Sequence, residues 1–421
     1  MGGVVSINIL SPIFPSFPSS LYLVCLCVSP DSPSSPIYAT MSHVAVIGCG
    51  VIGATIAYEL SLVTGLKVTV FEERQSPAQG ATGAALGVLM GAISKKVKGR
   101  AWQLRQTSVK RYETLIPELQ AITGRQIPCN RTGILMLCLP GEDLESWEKL
   151  VQTRQSQGWR LEIWNDAQVK SHCPQLDSHR IIGAVYSSQD RQIEPTALTE
   201  ALVAAAQANG VTFNFSATVK GVQSISSDTS NWRTCCQIHT DVGKLDVDWL
   251  VIAAGLGSTQ LATLLPAPAR ENTSPLIIKP VLGQALQLRL NHPMGHSYFQ
   301  PVITGNDVHI VPVGEKEYWV GTTVEFPNDK GEVIAESGLL EQVRQEAITF
   351  CPALADATIV RTWSGKRPRP EGRPAPVIGQ LPGYNNVLLA TGHYRNGILL
   401  APATAQKIRE AIVAEGFRAE G

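Results

Sequence analysis

Hydrophobic positions along the chain alternate between short unbroken runs and helical spacing. Val44-Ala45-Val46-Ile47 is a short apolar run rich in β-branched residues, the pattern of a strand buried on both faces. Gly48 to Gly53 follows, and a helix is predicted from about Val51 to Leu62. Lys67 to Phe71 is a second strand. Ala101 to Leu119 carries Trp102, Leu104, Val109, Tyr112, Leu115 and Leu119 at helical spacing, with Pro117 expected to kink or end it near Ile116. A strand is predicted at Gly133 to Leu137 and a helix near Leu144 to Gln157. Leu198 to Asn209 is amphipathic and stops at Gly210. Val211 to Phe215 and Ala217 to Val222 are strand-like. Trp249 to Gly255 is a buried strand that ends in small residues, as though its tip met a ligand. Gln284 to Leu290, Val308 to Val311 and Tyr318 to Val324 alternate or run apolar, and predict a mostly antiparallel sheet distinct from the first. A helix at Leu339 to Phe350, a strand at Asn386 to Ala390 and a helix at about Ala401 to Glu415 complete the pattern. Separated buried strands with helices between them make an α/β fold.

Composition narrows this picture. A length of 421 residues suggests two or three domains. Lys plus Arg is 35 and Asp plus Glu is 35, a balance that argues against nucleic acid or an anionic membrane as the main partner. No run of 18 apolar residues exists, so no membrane anchor is expected. Nine cysteines are scattered without a C-x-x-C pair, which indicates neither a zinc site nor a disulfide framework. Reduced thiols and a cytoplasmic setting follow. Cys235-Cys236 is expected to be an inert strand pair. Residues 1–40 are rich in Pro and Ser and contain no Lys or Arg. They are expected to be disordered, or to be untranslated sequence ahead of a start at Met41.

The first strand, glycines, helix and second strand carry the clearest chemistry. Gly48 permits a tight turn, Gly50 lets the backbone approach a pyrophosphate, and Gly53 lets the helix pack on the sheet. The helix N-terminus at Val51 and Ile52 offers free N–H groups to an anion. Glu72 stands 19 residues past Gly53, where a carboxylate can take the ribose hydroxyls of an adenosine. All parts occur in order, which makes a dinucleotide site much more specific than the glycines alone; the bland alternative is a glycine-rich turn with an exposed acid. The run from Gly80 to Val88 holds no bulky side chain before Leu86. It suits a backbone lying on a flat ligand, with Thr82 able to offer a hydroxyl; a plain loop is the alternative.

The motifs G-C-G-V-I-G, V-F-E-E, A-T-G-A-A-L-G-V-L, V-I-A-A-G-L-G-S, P-V-L-G-Q, Y-W-V-G-T-T-V-E, W-S-G-K-R-P and T-G-H-Y-R-N-G-I-L-L-A-P-A-T follow one another in this order. With them the chain resembles the FAD-dependent amine oxidoreductases of the D-amino-acid oxidase type, and among these the glycine oxidases that feed thiazole synthesis for thiamine. The resemblance implies a Rossmann-like FAD-binding domain at 41–118, 189–262 and 363–421. It implies a substrate domain on a mostly antiparallel sheet at 119–188 and 263–362. It places Val51 and Ile52 at the pyrophosphate, and Glu72 and Glu73 at the adenosine. Ala81, Thr82, Leu86, Gly87 and Val88 would line the flavin, Val219 would meet the adenine, and His393, Tyr394, Arg395, Asn396, Gly397, Ile398 and Leu399 would wrap the ring system. Gly255, at the tip of its strand, joins this cofactor set.

Arg367 and Arg395 match the family's substrate-contacting positions. A guanidinium fork pairs with a carboxylate bidentately. A surface arginine in a basic loop is the alternative for Arg367, and a structural ion pair for Arg395. The chain departs from the glycine oxidases at His309, where they carry a tyrosine that helps to hold the carboxylate. A neutral imidazole still donates one N–H, and a core strand histidine is the other reading. No cysteine follows Cys351, so non-covalent FAD is expected. The implied reaction is oxidative deamination of glycine or another small amino acid (sarcosine, a D-amino acid) to an oxo acid, ammonia and hydrogen peroxide, with oxygen as acceptor. No protein base is needed if the amine binds neutral. A homo-oligomer is implied. A dehydrogenase passing electrons to a quinone and a non-catalytic flavin-binding protein are the competing readings.

Overall fold

Ser42–Ile47 lies inside a six-stranded sheet whose order is Val377–Gln380, Val387–Thr391, Trp249–Ile252, Ser42–Ile47, Leu66–Glu72, Thr212–Phe215. The structure is a computed structural model and describes residues 41–226, 232–266 and 274–416; the expectations for 1–40 fall outside these. Strand Ser42–Ile47 pairs parallel with both neighbours, Val44 opposite Val68 on one side and Trp249 on the other. A strand so placed must be apolar on both faces. Val44 and Val46 face a core built with the helices, while Ala45 and Ile47 face a second core with Ala217, Cys235, Ile238 and Leu250. The helix Val51–Ser61 is buried from Val51 to Leu60, which fits its short, mostly apolar side chains. It packs against Pro195–Ala208 and the last helix, Gly397–Gly416. A three-stranded antiparallel sheet of Val219–Ser226, Arg233–Thr240 and Gly243–Asp246 covers the other face.

The second large sheet has eight strands in the order Thr358–Pro370, Ile278–Arg289, Glu317–Gly321, Val308–Pro312, Val302–Gly305, Ile134–Cys138, Gly183–Ser187, Glu162–Asn165. All its pairs are antiparallel except Val302–Gly305 with Ile134–Cys138. It is the mostly antiparallel sheet read from the alternation.

Several boundaries differ from the pattern reading. The helix expected to break near Ile116 runs unbroken from Gly99 to Thr123, through Pro117, and ends at Gly124 in the left-handed region. Leu115, Ile116 and Leu119 are fully buried on either side of Pro117, and that packing outweighs the lost hydrogen bond. The last helix starts at Gly397, four residues before Ala401, and passes through Pro402. Pro402 cannot donate to the Ile398 carbonyl one turn back; the Tyr112 hydroxyl donates to it instead, at 2.5 Å. The helix expected from Leu198 begins at Pro195. The Glu194 carboxylate caps it, accepting from the Thr196 and Ala197 N–H groups at 3.2 and 2.5 Å.

Candidate active site

At the carboxyl end of the first strand, Gly48 turns with φ +102°, and a Cβ there would lie 2.7 Å from the Ala253 carbonyl oxygen. Gly53 rests on the Gly48 carbonyl so closely that any Cβ would collide with it. Gly50 caps the helix with no side chain, so the first turn keeps donors for an anion. The Val51 N–H donates to Thr82 Oγ1 at 3.0 Å, which leaves the Thr82 hydroxyl proton for a further acceptor. Glu72 ends the second strand. Its carboxylate accepts from the Cys49 N–H at 2.6 Å and the Arg74 N–H at 3.1 Å, and so fastens the glycine turn. Glu73 is exposed, 3.9 Å from Arg74.

Apart from Cys49 and Gly53, these residues line one end of a cleft of about 580 Å³, joined there by Val219, Gly255 and most of the chain from Gln79 to Val88. The small residues of that run have a packing cause as well. A Cβ at Gly365 would collide with Ala84, one at Gly87 with the Ile193 carbonyl, and Trp363 Nε1 donates to the Ala84 carbonyl at 3.1 Å. The loop Tyr394–Asn396 and the first turn of the last helix, with Gly397, Ile398 and Leu399, bring a second helix N-terminus to the cleft. His393 is buried, its Nε2 bonded to Thr404 Oγ1 at 2.9 Å, and burial pushes its pKa down to about 3.

The cleft also reaches Arg367, Arg395 and His309. Arg367 lies on the strand Thr358–Pro370, half-buried, and not in a surface loop. Its guanidinium covers Gly283 and donates to the Leu282 and Thr323 carbonyls at 3.0 and 3.1 Å and to Thr322 Oγ1 at 2.7 Å. Among the described residues it has no salt-bridge partner. Burial and the neighbouring Arg395 lower its pKa. Arg395 pairs with the exposed Asp307 at 3.1 Å, so its ion pair and its place on the cleft coexist. His309 meets Thr304 Oγ1 through Nδ1. Burial, then Arg395, pushes its pKa down to about 4, so the ring is neutral at pH 7.

Of the residues picked from the sequence, all but Gly53 and Asn396 line this cleft. Gly53 acts through packing on Gly48, and Asn396 faces an adjoining cavity. Thr322 and Gly283, which seat Arg367, lie inside motifs recognised in the sequence but carried no signal of their own. Cys235 is buried on its strand, beside the partly exposed Cys236.

A glycine turn, an acid at the next strand tip and two helix N-termini, gathered on one cleft, define a dinucleotide-binding protein. The sequence profile of the family described as DAO, FAD dependent oxidoreductase, matches residues 43–411, and the chain belongs to that family. It is 30% identical over 375 residues to the bifunctional protein ThiO/ThiG of Trichormus variabilis, covering 88% of this chain and 52% of the relative. The chain thus spans about half the length of such bifunctional relatives. It is 29% identical over 381 residues to glycine oxidase of Bacillus licheniformis, covering 89% and 94%. The crystal structure of glycine oxidase from Geobacillus kaustophilus superposes with a TM-score of 0.75 at 25% identity, over 89% of this chain and 95% of that one.

The residues fit FAD. The absence of a side chain at Gly50, which faces the cleft, leaves room for a pyrophosphate beside the helix N-terminus, while Gly48 and Gly53 let the turn pack closely enough to form it. No helix among the described residues is long and apolar enough to cross a membrane.

Proposed function

We propose that the chain oxidises the C–N bond of a small amino acid with a free carboxylate. Glycine, sarcosine and D-amino acids are the candidates, and the products are an oxo acid, an amine or ammonia, and hydrogen peroxide. The observation that carries this reading is Arg367, a half-buried guanidinium on the FAD cleft, held by three acceptors and, among the described residues, left without a carboxylate partner. A cation so placed and so fixed is complementary to a substrate carboxylate. When bound, FAD supplies the two-electron acceptance. The chain's own part is to orient the substrate. Arg367 receives the carboxylate, neutral His309 donates one N–H, and Arg395 adds positive potential that favours an unprotonated amine. No protein base is assigned.

The glycine turn, Thr82, Glu72, Glu73, Val219 and the segment His393–Leu399 hold FAD, without a covalent tether. In this reading 41–118, 189–262 and 363–421 form the FAD-binding part, and 119–188 and 263–362 the substrate part. Oxygen as acceptor, a cytoplasmic homo-oligomer and a role in supplying thiazole synthesis follow from likeness to the glycine oxidases and the ThiO/ThiG proteins.

The test is a peroxide assay on the FAD-loaded protein with glycine, sarcosine and D-alanine, run beside an artificial electron acceptor. Peroxide with at least one amino acid is expected. Turnover with the artificial acceptor alone makes it a dehydrogenase, and no flavin reduction by any of them overturns the reading.

A further inference from the structure

A second cavity, of about 530 Å³, adjoins the first and shares Val88, His309 and Arg395 with it. Its wall includes the apolar Ile93, Met136 and Leu137, and one buried cation, Arg105. Arg105 lies on the helix Gly99–Thr123 and is 9% exposed. One of its terminal nitrogens donates to the Ala101 carbonyl at 3.0 Å and the other to Asn396 Oδ1 at 3.3 Å; its Nε has no partner. Among the described residues no carboxylate forms a salt bridge with it.

The charges around Arg105 do not cancel it. The buried Arg154 is a second cation in this part of the molecule, and the field of Arg105 acts against its charge. The buried acid whose field reaches Arg154, Asp190, is held by backbone donors. It accepts the N–H groups of Gly91, Ala92 and Ile93 at 2.7, 2.8 and 2.7 Å. The acids on the cavity wall, Glu142, Asp143 and Asp307, are exposed and already engaged. Glu142 accepts from Trp147 Nε1, Asp143 caps the next helix, and Asp307 pairs with Arg395. A buried cation without a countercharge is costly unless an anion joins it.

We infer that this cavity receives a second anionic group of the substrate, so that the favoured substrates are amino acids with an acidic side chain. The inference rests on the reading that Arg367 takes the α-carboxylate. The side chain then extends past His309 and Arg395, its methylenes against Met136 and Leu137 and its carboxylate toward Arg105. A neutral side chain of equal size fills the same space but leaves Arg105 uncompensated.

The experiment separates binding from turnover. Calorimetric titration of the FAD-loaded protein compares succinate, glutarate and adipate with monocarboxylates of the same length. At least one dicarboxylate is expected to bind tenfold or more tightly than its monocarboxylate match. Arg105→Gln should bring that ratio close to one, and Arg105→Lys should keep part of it. Met136→Glu, which adds a negative charge to the wall and leaves Arg105 in place, should suppress the ratio too and serves where Arg105→Gln does not fold. In turnover, D-glutamate or D-aspartate should exceed its amide counterpart in kcat/KM by tenfold or more. Equal affinity for dicarboxylates and monocarboxylates overturns the inference, as does a preference untouched by these variants. Oxidation of neutral amino acids without any acidic preference overturns it and leaves the proposed reaction standing. Selective dicarboxylate binding without oxidation of any amino acid sustains the site and overturns the reaction.

Discussion

Arg367 is placed by acceptors that only a planar fork can satisfy together. The Leu282 and Thr323 carbonyls share one terminal nitrogen, and Thr322 Oγ1 takes a proton of the other. A lysine ammonium at this position keeps the charge but cannot hold these partners and present two parallel N–H groups to a carboxylate. A hydrogen bond to a charged partner contributes roughly 1.5–3 kcal/mol, so Arg367→Lys is expected to lower kcat/KM for a carboxylate substrate on the order of 10–150-fold. FAD should remain bound, and an amine lacking a carboxylate should lose much less. Equal losses on both kinds of substrate would remove Arg367 from the substrate site. His309 is a residue where pH should register, as is the buried His393. Its pKa falls from 6.5 to about 4 on folding, chiefly through burial. Between these values the unfolded chain binds the proton and the folded chain does not, so falling pH favours unfolding by about 1.4 kcal/mol per unit. The stability that His309 contributes is fully present above pH 6.5 and is lost as pH falls toward 4. Denaturant titration at pH 7 and pH 5 should therefore show a smaller loss in His309→Asn than in the wild type, by roughly 2 kcal/mol. The same loss in both would mean that His309 is solvated in the folded protein.

At the scale of elements, what the sequence made legible is what local chemistry constrains. The first strand, glycine turn, helix and acid were readable because Val44 to Ile47 must be apolar on both faces and Gly48 and Gly53 have no room for a side chain. The continuation through Pro402 was not readable, because the donor that satisfies the Ile398 carbonyl is Tyr112, 286 positions away. Arg105 was equally silent, since nothing nearby in sequence marks a helix arginine as buried. The Arg367 position was legible as a motif, but its seating on Gly283 and Thr322 needed three strands brought together. The glycine turn also yields a test that divides packing from ligand contact. A methyl at Gly53 collides with the Gly48 carbonyl, whereas one at Gly50 stands 3.1 Å from Thr82 Oγ1 and faces the cleft. Overpacking costs about 1–3 kcal/mol. Gly53→Ala should thus lower the melting temperature of the FAD-free protein and, by shifting the helix N-terminus, weaken FAD on the order of 5- to 150-fold. Gly50→Ala should weaken FAD while leaving the FAD-free melting temperature within a degree or two of wild type. If both variants melt alike and bind FAD alike, the division between the two glycines is wrong.

For the whole molecule, the FAD cleft is the seam between two sheets. Glu72 and Val51 come from the end of the mostly parallel six-stranded sheet, and Arg367, His309 and Leu282 from the mostly antiparallel one. A ligand lying along that cleft touches both, so its binding energy appears as stability of the whole fold. At a free concentration one hundred times the dissociation constant it adds about 2.7 kcal/mol. No cysteine lines the cleft among the described residues. Cys49, next to Gly48, is fully buried, its thiol pKa raised by that burial, which makes it a poor nucleophile. The flavin should therefore be removable. Acid precipitation is expected to leave a colourless pellet and a yellow supernatant. Gentle removal at neutral pH should give a folded apoprotein that melts several degrees lower and recovers when FAD is returned. The recovery should scale with the logarithm of FAD concentration, as mass action requires. A pellet that stays yellow would mean a covalent bond to a side chain. An apoprotein with an unchanged melting temperature would mean that the cofactor does not bridge the two sheets, and Arg367 would then sit too far from it to present a substrate.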